Sequence, residues 1–156
     1  MGHVKANFCS LPPAALITFT APQGLTRDAT IDIAIKPGQQ CGVRVIHESP
    51  QSVTLATLAG HPEAGRITFG CYRNAAGEVI FHIRSRARST TAVKRLGFLA
   101  IGDAMQTNTW ADFIRNTAAA VSASIAGGIH AETQEVEELP EDDEPMHAPT
   151  FLAVGD

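Results

Sequence analysis

Apolar residues recur at every second position through residues 15–87, interrupted at short intervals by turn chemistry, and after Ser89 the period becomes helical. Ile31, Ile33 and Ile35 share one face of residues 29–36, with Asp32, Ala34 and Lys36 on the other, and Pro37-Gly38 ends that stretch. Residues 42–48 set Val43 and Val45 against Arg44 and Ile46. Val53, Leu55 and Thr57 alternate with Thr54, Ala56 and Leu58, as in a strand buried on both faces or nearly so. Gly60-His61-Pro62-Glu63 breaks the run, because proline removes a donor and forces its neighbour out of helical geometry. Residues 65–73 place Ile67, Phe69 and Cys71 opposite Arg66, Thr68 and Tyr72, and Asn74-Ala75-Ala76-Gly77 then forms a hairpin loop into residues 78–87. Residues 15–20, with Leu16, Ile17 and Phe19 suited to burial, bring the count to six predicted strands. Connections this short allow an antiparallel meander and no parallel crossover.

Beyond Ser89, Phe98, Ile101, Met105, Trp110, Phe113, Ile114, Thr117, Val121 and Ile125 fall near one helical stripe. Thr90 or Thr91 suits the cap of a short first turn through Lys94, and Gly127-Gly128 predicts that the long helix stops near Ala126. The first 13 residues are expected to be irregular because of Pro12-Pro13. The reading is a single domain over residues 1–128 and an acidic, disordered tail over 129–156, where Phe151-Leu152-Ala153-Val154 is a small apolar exception. The fold class is α+β: a curved antiparallel sheet of about six strands gripping one long C-terminal helix, with a sheet edge left open to a second copy as a homodimer.

Charge limits the partners. Nine acids follow Ala131 without a single Lys or Arg, and taking them out of the net −4 leaves the body at +5. A body this mildly basic lacks the dense stripe of a nucleic-acid binder, so no nucleic acid is expected. No apolar run approaches about 18 residues, so no membrane span is expected. Cys9, Cys41 and Cys71 have no C-x-x-C spacing and no basic-then-apolar leader precedes them, which predicts reduced cysteines, no metal and a cytoplasmic location. G-x-S-x-G, Walker, dinucleotide and H-E-x-x-H patterns are absent, and no cofactor is expected.

Thr57-Leu58-Ala59-Gly60-His61-Pro62-Glu63-Ala64-Gly65 resembles the Y-G-T-L-P-G-H-P-E-x-G-E signature of DUF1990, a bacterial family of unknown function. Ile83-Arg84, Arg88 and Arg95-Leu96-Gly97 resemble that family's V-R-A-F-S-R-P…A-R-L-G segment at matching spacing, so the likeness covers residues 42–121. The family is usually placed with the START and birch-pollen-allergen-like (SRPBCC) helix-grip domains, so the resemblance implies a helix-grip fold and no particular reaction. It also implies one more strand and a pair of small helices near the start, which the residues before Ala15 do not reveal. Ala56 stands where the family often has glycine, Ala59 replaces a proline and Arg66 replaces a glutamate. Any role of that glutamate does not transfer.

Three groups of residues suggest chemistry. His61 and Glu63 in one turn form either an acid–base pair or a structural turn whose side chains cap backbone donors. His82, Arg84, Arg86 and Arg88 occupy one face of the last strand, as an anion-binding ridge or as a solvent face, with Tyr72 and Thr68 placed to add hydroxyls. Trp110 and Phe113 either cover a ligand or fill the core. Which face of the last strand meets the helix is open. Arginines turned towards the helix would need Asp103, Asp112 or Glu63 as partners. The leading functional expectation is a non-catalytic protein for a small apolar or amphipathic ligand with an anionic end, using His61, Glu63, Tyr72, His82, Arg84, Arg88, Trp110 and Phe113. The alternatives are a hydrolase or cyclase using His61 and Glu63, and a protein-binding module using a sheet edge or the acidic tail.

Overall fold

In the computed structural model, which describes residues 1–89 and 99–134, all six strands form. They are β1 (Ile17–Thr20), β2 (Thr30–Ile35), β3 (Gln39–Ser49), β4 (Ser52–Thr57), β5 (Glu63–Arg73) and β6 (Val79–Ser89), in one antiparallel sheet of order β1-β2-β3-β4-β5-β6. The hairpin between β5 and β6 closes as its residues dictate. Asn74 Oδ1 accepts the Glu78 N–H at 2.9 Å, and Gly77 takes the left-handed φ of +82° that a side chain resists. Its length fixes the register, with Arg73 opposite Val79, Phe69 opposite Ile83 and Gly65 opposite Ala87. A register shift between Val45 and His47 bends β3, and the sheet curls into a half-barrel.

The alternation of the strands sorts their residues as the sequence predicts. Ile31, Ile33, Val43, Val45, Val53, Leu55 and Phe69 are buried, and β4 is covered on both faces, since Thr54 is buried as well. The N-terminal stretch departs from expectation. A short helix α1 (Gly2–Ala6) and a 3-10 turn (Phe8–Ser10) carry Val4, Phe8 and Leu11 into the core, so the lead-in is ordered core material. Phe8 is 2% exposed and its ring lies 5.3 Å from Phe19, 5.0 Å from Phe69 and 5.5 Å from Phe113. Three polar ties hold the segment down. Lys5 pairs with Glu48 and the Ser49 carbonyl, the Met1 ammonium lies 3.4 Å from Cys71 Sγ, and Asn116 Nδ2 donates to the Leu11 carbonyl at 2.7 Å.

The second helix, α2 (Leu99–Ala120), crosses the concave side of the sheet, with Phe113 fully buried and Trp110 packed against the core. It stops six residues before the expected end near Ala126. Ala123 N–H bonds to the Ala118 carbonyl at 2.9 Å and Ser122 N–H to the Ala119 carbonyl at 3.0 Å, a Schellman closure with Ser122 at φ +52°. Val121 and Ile125 therefore leave the predicted stripe and are 47% and 40% exposed. Among the described residues no helix is long and apolar enough to cross a membrane. The cap at Thr90 or Thr91, the tail beyond Gln134 and the Phe151-Leu152-Ala153-Val154 run lie outside the described residues.

Phe8→Ala is expected to cost about 3–5 kcal/mol in urea unfolding, as for any large side chain removed from a packed core. Val121→Ser should stay within about 0.5 kcal/mol of the parent, because its side chain is a surface one. Equal losses from the two variants would overturn this assignment of the core.

Candidate functional site

The turn that joins β4 to β5 is tied internally. Gly60 takes φ +90°, and His61 N–H donates to the Leu58 carbonyl at 3.1 Å. Thr57 Oγ1 accepts the Gly65 N–H at 2.9 Å and donates to the Gly65 carbonyl at 3.2 Å, closing the base of the loop. His61 Nδ1 lies 3.1 Å from the Glu63 amide nitrogen and 2.9 Å from the Glu63 carbonyl oxygen. A ring with Nδ1 bare accepts the N–H, and a ring protonated there donates to the oxygen. Burial pushes the His61 pKa below its ordinary value, against the opposing pull of the Glu63 hydrogen bond and charge. His61 and Glu63 thus meet as sequence suggested, and the contact runs through the Glu63 backbone.

The two aromatic residues of α2 are packed among other rings. Phe113 lies 5.1 Å from Phe69, 5.5 Å from Phe8 and 6.4 Å from Phe81, and Trp110 lies 5.7 Å from Phe69. Trp110 Nε1 is buried, with no hydrogen bond among the described residues. At this level the chain's own rings occupy the space between sheet and helix.

The open question about β6 is answered by its packing. Phe81 and Ile83 pack against the core, so His82, Arg84, Arg86 and Arg88 face away from α2. The ridge therefore stands on the outer face, apart from Trp110 and Phe113, and needs nothing from Asp112, which instead pairs with Arg115 at 2.7 Å. Cross-strand register adds residues to it. Arg66 lies directly opposite Arg86, and Ala56 separates Arg66 from Arg44 in the same row. The next row holds Thr54, Thr68 and Arg84, with the two threonine hydroxyls 2.9 Å apart. Beyond it His82 sits on Gly70, where an added Cβ would lie 2.7 Å from the ring, and the Tyr72 ring is 5.9 Å from His82. Tyr72 is opposite Ile80 in the following row.

Five arginines thus share one outer face: Arg44, Arg66, Arg84, Arg86 and Arg88. Among the strand residues of that face the acid is Asp32, on β2, three strands from β5. Burial lowers the Arg84 pKa, and the charges of Arg86 and Arg66 lower it further, a measure of how closely these cations are gathered. Sequence reading found the β6 ridge but did not extend it to Arg44 and Arg66. The signal was available for Arg66, since counting outward from the Asn74-Gly77 loop sets it opposite Arg86. For Arg44 the irregularity between Val45 and His47 hides the count.

The family model described as "Domain of unknown function (DUF1990)" matches residues 13–116, well over half of the chain, so the chain belongs to that family. No curated protein and no solved structure matches it. The matched span includes the His61–Glu63 turn and every arginine of the outer face, and it leaves out α1 and Phe8.

A pH dependence follows from the two half-buried histidines. Burial lowers the pKa of His61 and of His82, the latter also through the Arg84 charge, so the unfolded chain binds protons at these rings more readily than the folded one. Their contribution to stability is complete above about pH 6.5, the ordinary histidine value, and is lost as pH falls through the lower folded values. The midpoint of urea unfolding should therefore fall between pH 7.5 and pH 5.5, and less steeply in His82→Gln. A His82→Gln profile parallel to that of the parent would refute the assignment to His82.

Proposed function

We propose that this chain is a binding module without covalent chemistry, of the helix-grip (START-like, SRPBCC) type, and that it holds the anionic end of a small amphipathic ligand on its outer face through Arg66, Arg84 and Arg86. The observation that carries this reading is the direct opposition of Arg66 and Arg86 on neighbouring strands. Like charges placed opposite each other across a sheet repel, and the positive field they create attracts anions. Guanidinium forks match carboxylate and phosphate oxygens, and the half-buried Thr68 hydroxyl in the Arg84 row, bonded to that of buried Thr54, adds a group that can donate to the same anion. The rows beyond Arg84 lead to His82, Tyr72 and Ile80, which offer rings and an apolar side chain to the rest of the ligand. The interior offers less support for such a molecule, since Phe8, Phe69 and Phe113 are already packed there. The three unpaired cysteines support a cytoplasmic setting.

The His61–Glu63 pair supports the turn more directly than catalysis, because His61 Nδ1 meets the Glu63 backbone amide and carbonyl. Position 66 offers the sharper test. Family resemblance places a glutamate where this chain has Arg66, and a glutamate there would face Arg86 as a cross-strand ion pair.

Phenyl phosphate titrated into the protein is expected to raise its melting temperature, with an affinity that falls as salt rises. Arg66→Glu should abolish that binding while stabilising the ligand-free protein by about 0.2–1 kcal/mol. A variant that still binds phenyl phosphate, or a parent that binds neither phenyl phosphate nor benzoate, would overturn the proposal.

A further inference from the structure

The arginine face lies on the same chain as a segment of opposite charge. Residues 132–144 contain Glu132, Glu135, Glu137, Glu138, Glu141, Asp142, Asp143 and Glu144, and no Lys or Arg follows Arg115. On the described surface the densest positive counterpart is the row and flanks formed by Arg44, Arg66, Arg84, Arg86 and Arg88. Resting on the anion-binding reading of that face, we infer that it is also the docking surface of the chain's own acidic segment, residues 132–144, which competes there with any other anion.

Reach does not limit the contact. Helix α2 is 22 residues long, or about 33 Å at helical rise, and ends at Ala120. From Gln134, where the described stretch stops, the ten residues to Glu144 span up to about 35 Å when extended. Glycines at 127 and 128, both with positive φ, lie on the path that leads to this segment. Extended carboxylates at alternate positions match the spacing of arginines on alternate positions of a strand. Arg84, Arg86 and Arg88 have that spacing on β6, and Glu135 and Glu137 have it in the segment, as do Glu141 and Asp143. Tethering then supplies what individually weak, salt-screened pairs lack, because the segment is present at an effective concentration on the order of millimolar.

The face prefers this occupant to nucleic acid for an electrostatic reason. A polyphosphate backbone approaching the arginines would meet the repulsion of eight nearby carboxylates. Docking offsets up to five of the segment's eight negative charges with the five arginines.

The test uses the full chain. In one variant Glu135, Glu137, Glu138, Glu141 and Glu144 become Gln and Asp142 and Asp143 become Asn; in a second, Arg66→Gln and Arg86→Gln are added. The probes are phenyl phosphate and a synthetic peptide of residues 132–146, each titrated calorimetrically at low and at physiological salt. The neutralised chain should bind the peptide one to one, and phenyl phosphate roughly ten-fold more tightly than the parent does. Adding the arginine substitutions should remove both. Equal phenyl phosphate affinity in parent and neutralised chain overturns the docking and leaves the anion face standing. Failure of phenyl phosphate on every chain, with the peptide still bound to the neutralised one, overturns the small-ligand reading and leaves the docking. Failure of both probes removes both. Sedimentation completes the test: a monomeric parent places the segment on its own sheet, whereas a dimer that neutralisation dissolves overturns the intramolecular form.

Discussion

The curl of the sheet depends on one ring. Phe8 stacks on Phe19 of β1 at 5.3 Å and meets Phe69 of β5 edge-on at 5.0 Å, so strands four places apart in the sheet touch the same side chain. A flat sheet would hold β1 and β5 roughly 19 Å apart at the usual strand spacing, too far for one phenyl group to bridge. The bend at Val45 and His47 in β3 brings the two sides together, and Phe113 of α2 closes the remaining side of the ring at 5.5 Å. Sheet curvature, helix position and N-terminal segment therefore support one another. The outer face inherits its shape from this core, since the bend that wraps β1 and β5 around Phe8 also sets the convexity on which the arginines stand.

The strands were legible because two signals agreed at each of them. Period-two burial fixed the faces, and Pro37-Gly38, Gly60 to Glu63 and Asn74 to Gly77 fixed the ends. The parts that sequence misjudged each had a competing signal. Val4, Phe8 and Leu11 keep helical spacing, but the run is under three turns long and Pro12-Pro13 follows it, so it reads as irregular. Such a segment is too short to be helical by itself and is ordered by tertiary burial, which local propensity cannot express. The end of α2 was misplaced for a related reason. Ser122 adopts the left-handed turn that glycine usually supplies, and Gly127-Gly128, which looks like the stop, lies in the chain beyond it.

For the site, composition was legible and arrangement was not. His82, Arg84, Arg86 and Arg88 could be placed on one face of a strand from spacing alone, but both faces of β6 were acceptable candidates for burial. The decision lies in Phe81 and Ile83, whose rows contain Cys71 and Phe69, and it required the register of β5. The same register separates the proposed constellation. Glu63 shares the inner face with Ile67 and Phe69, whereas Arg84 and Arg88 are on the outer one, so residues close in sequence pattern stand on opposite sides of the sheet.

The arginine at position 66 connects these levels. On an edge strand charged side chains discourage edge-to-edge pairing, and Arg84, Arg86 and Arg88 stand on the edge strand β6. Arg66 is one strand inward, where protection of the edge gives no reason for a cation, and it stands opposite Arg86 where the family resemblance places a glutamate. Arg66 also crowds Arg84, whose pKa is lowered by burial, by Arg86 and by Arg66 in that order. Arg66 and Arg86 therefore concentrate positive charge in this row. On the proposed reading an anion is drawn to this field, and the acidic segment of the same chain carries carboxylates of the matching charge.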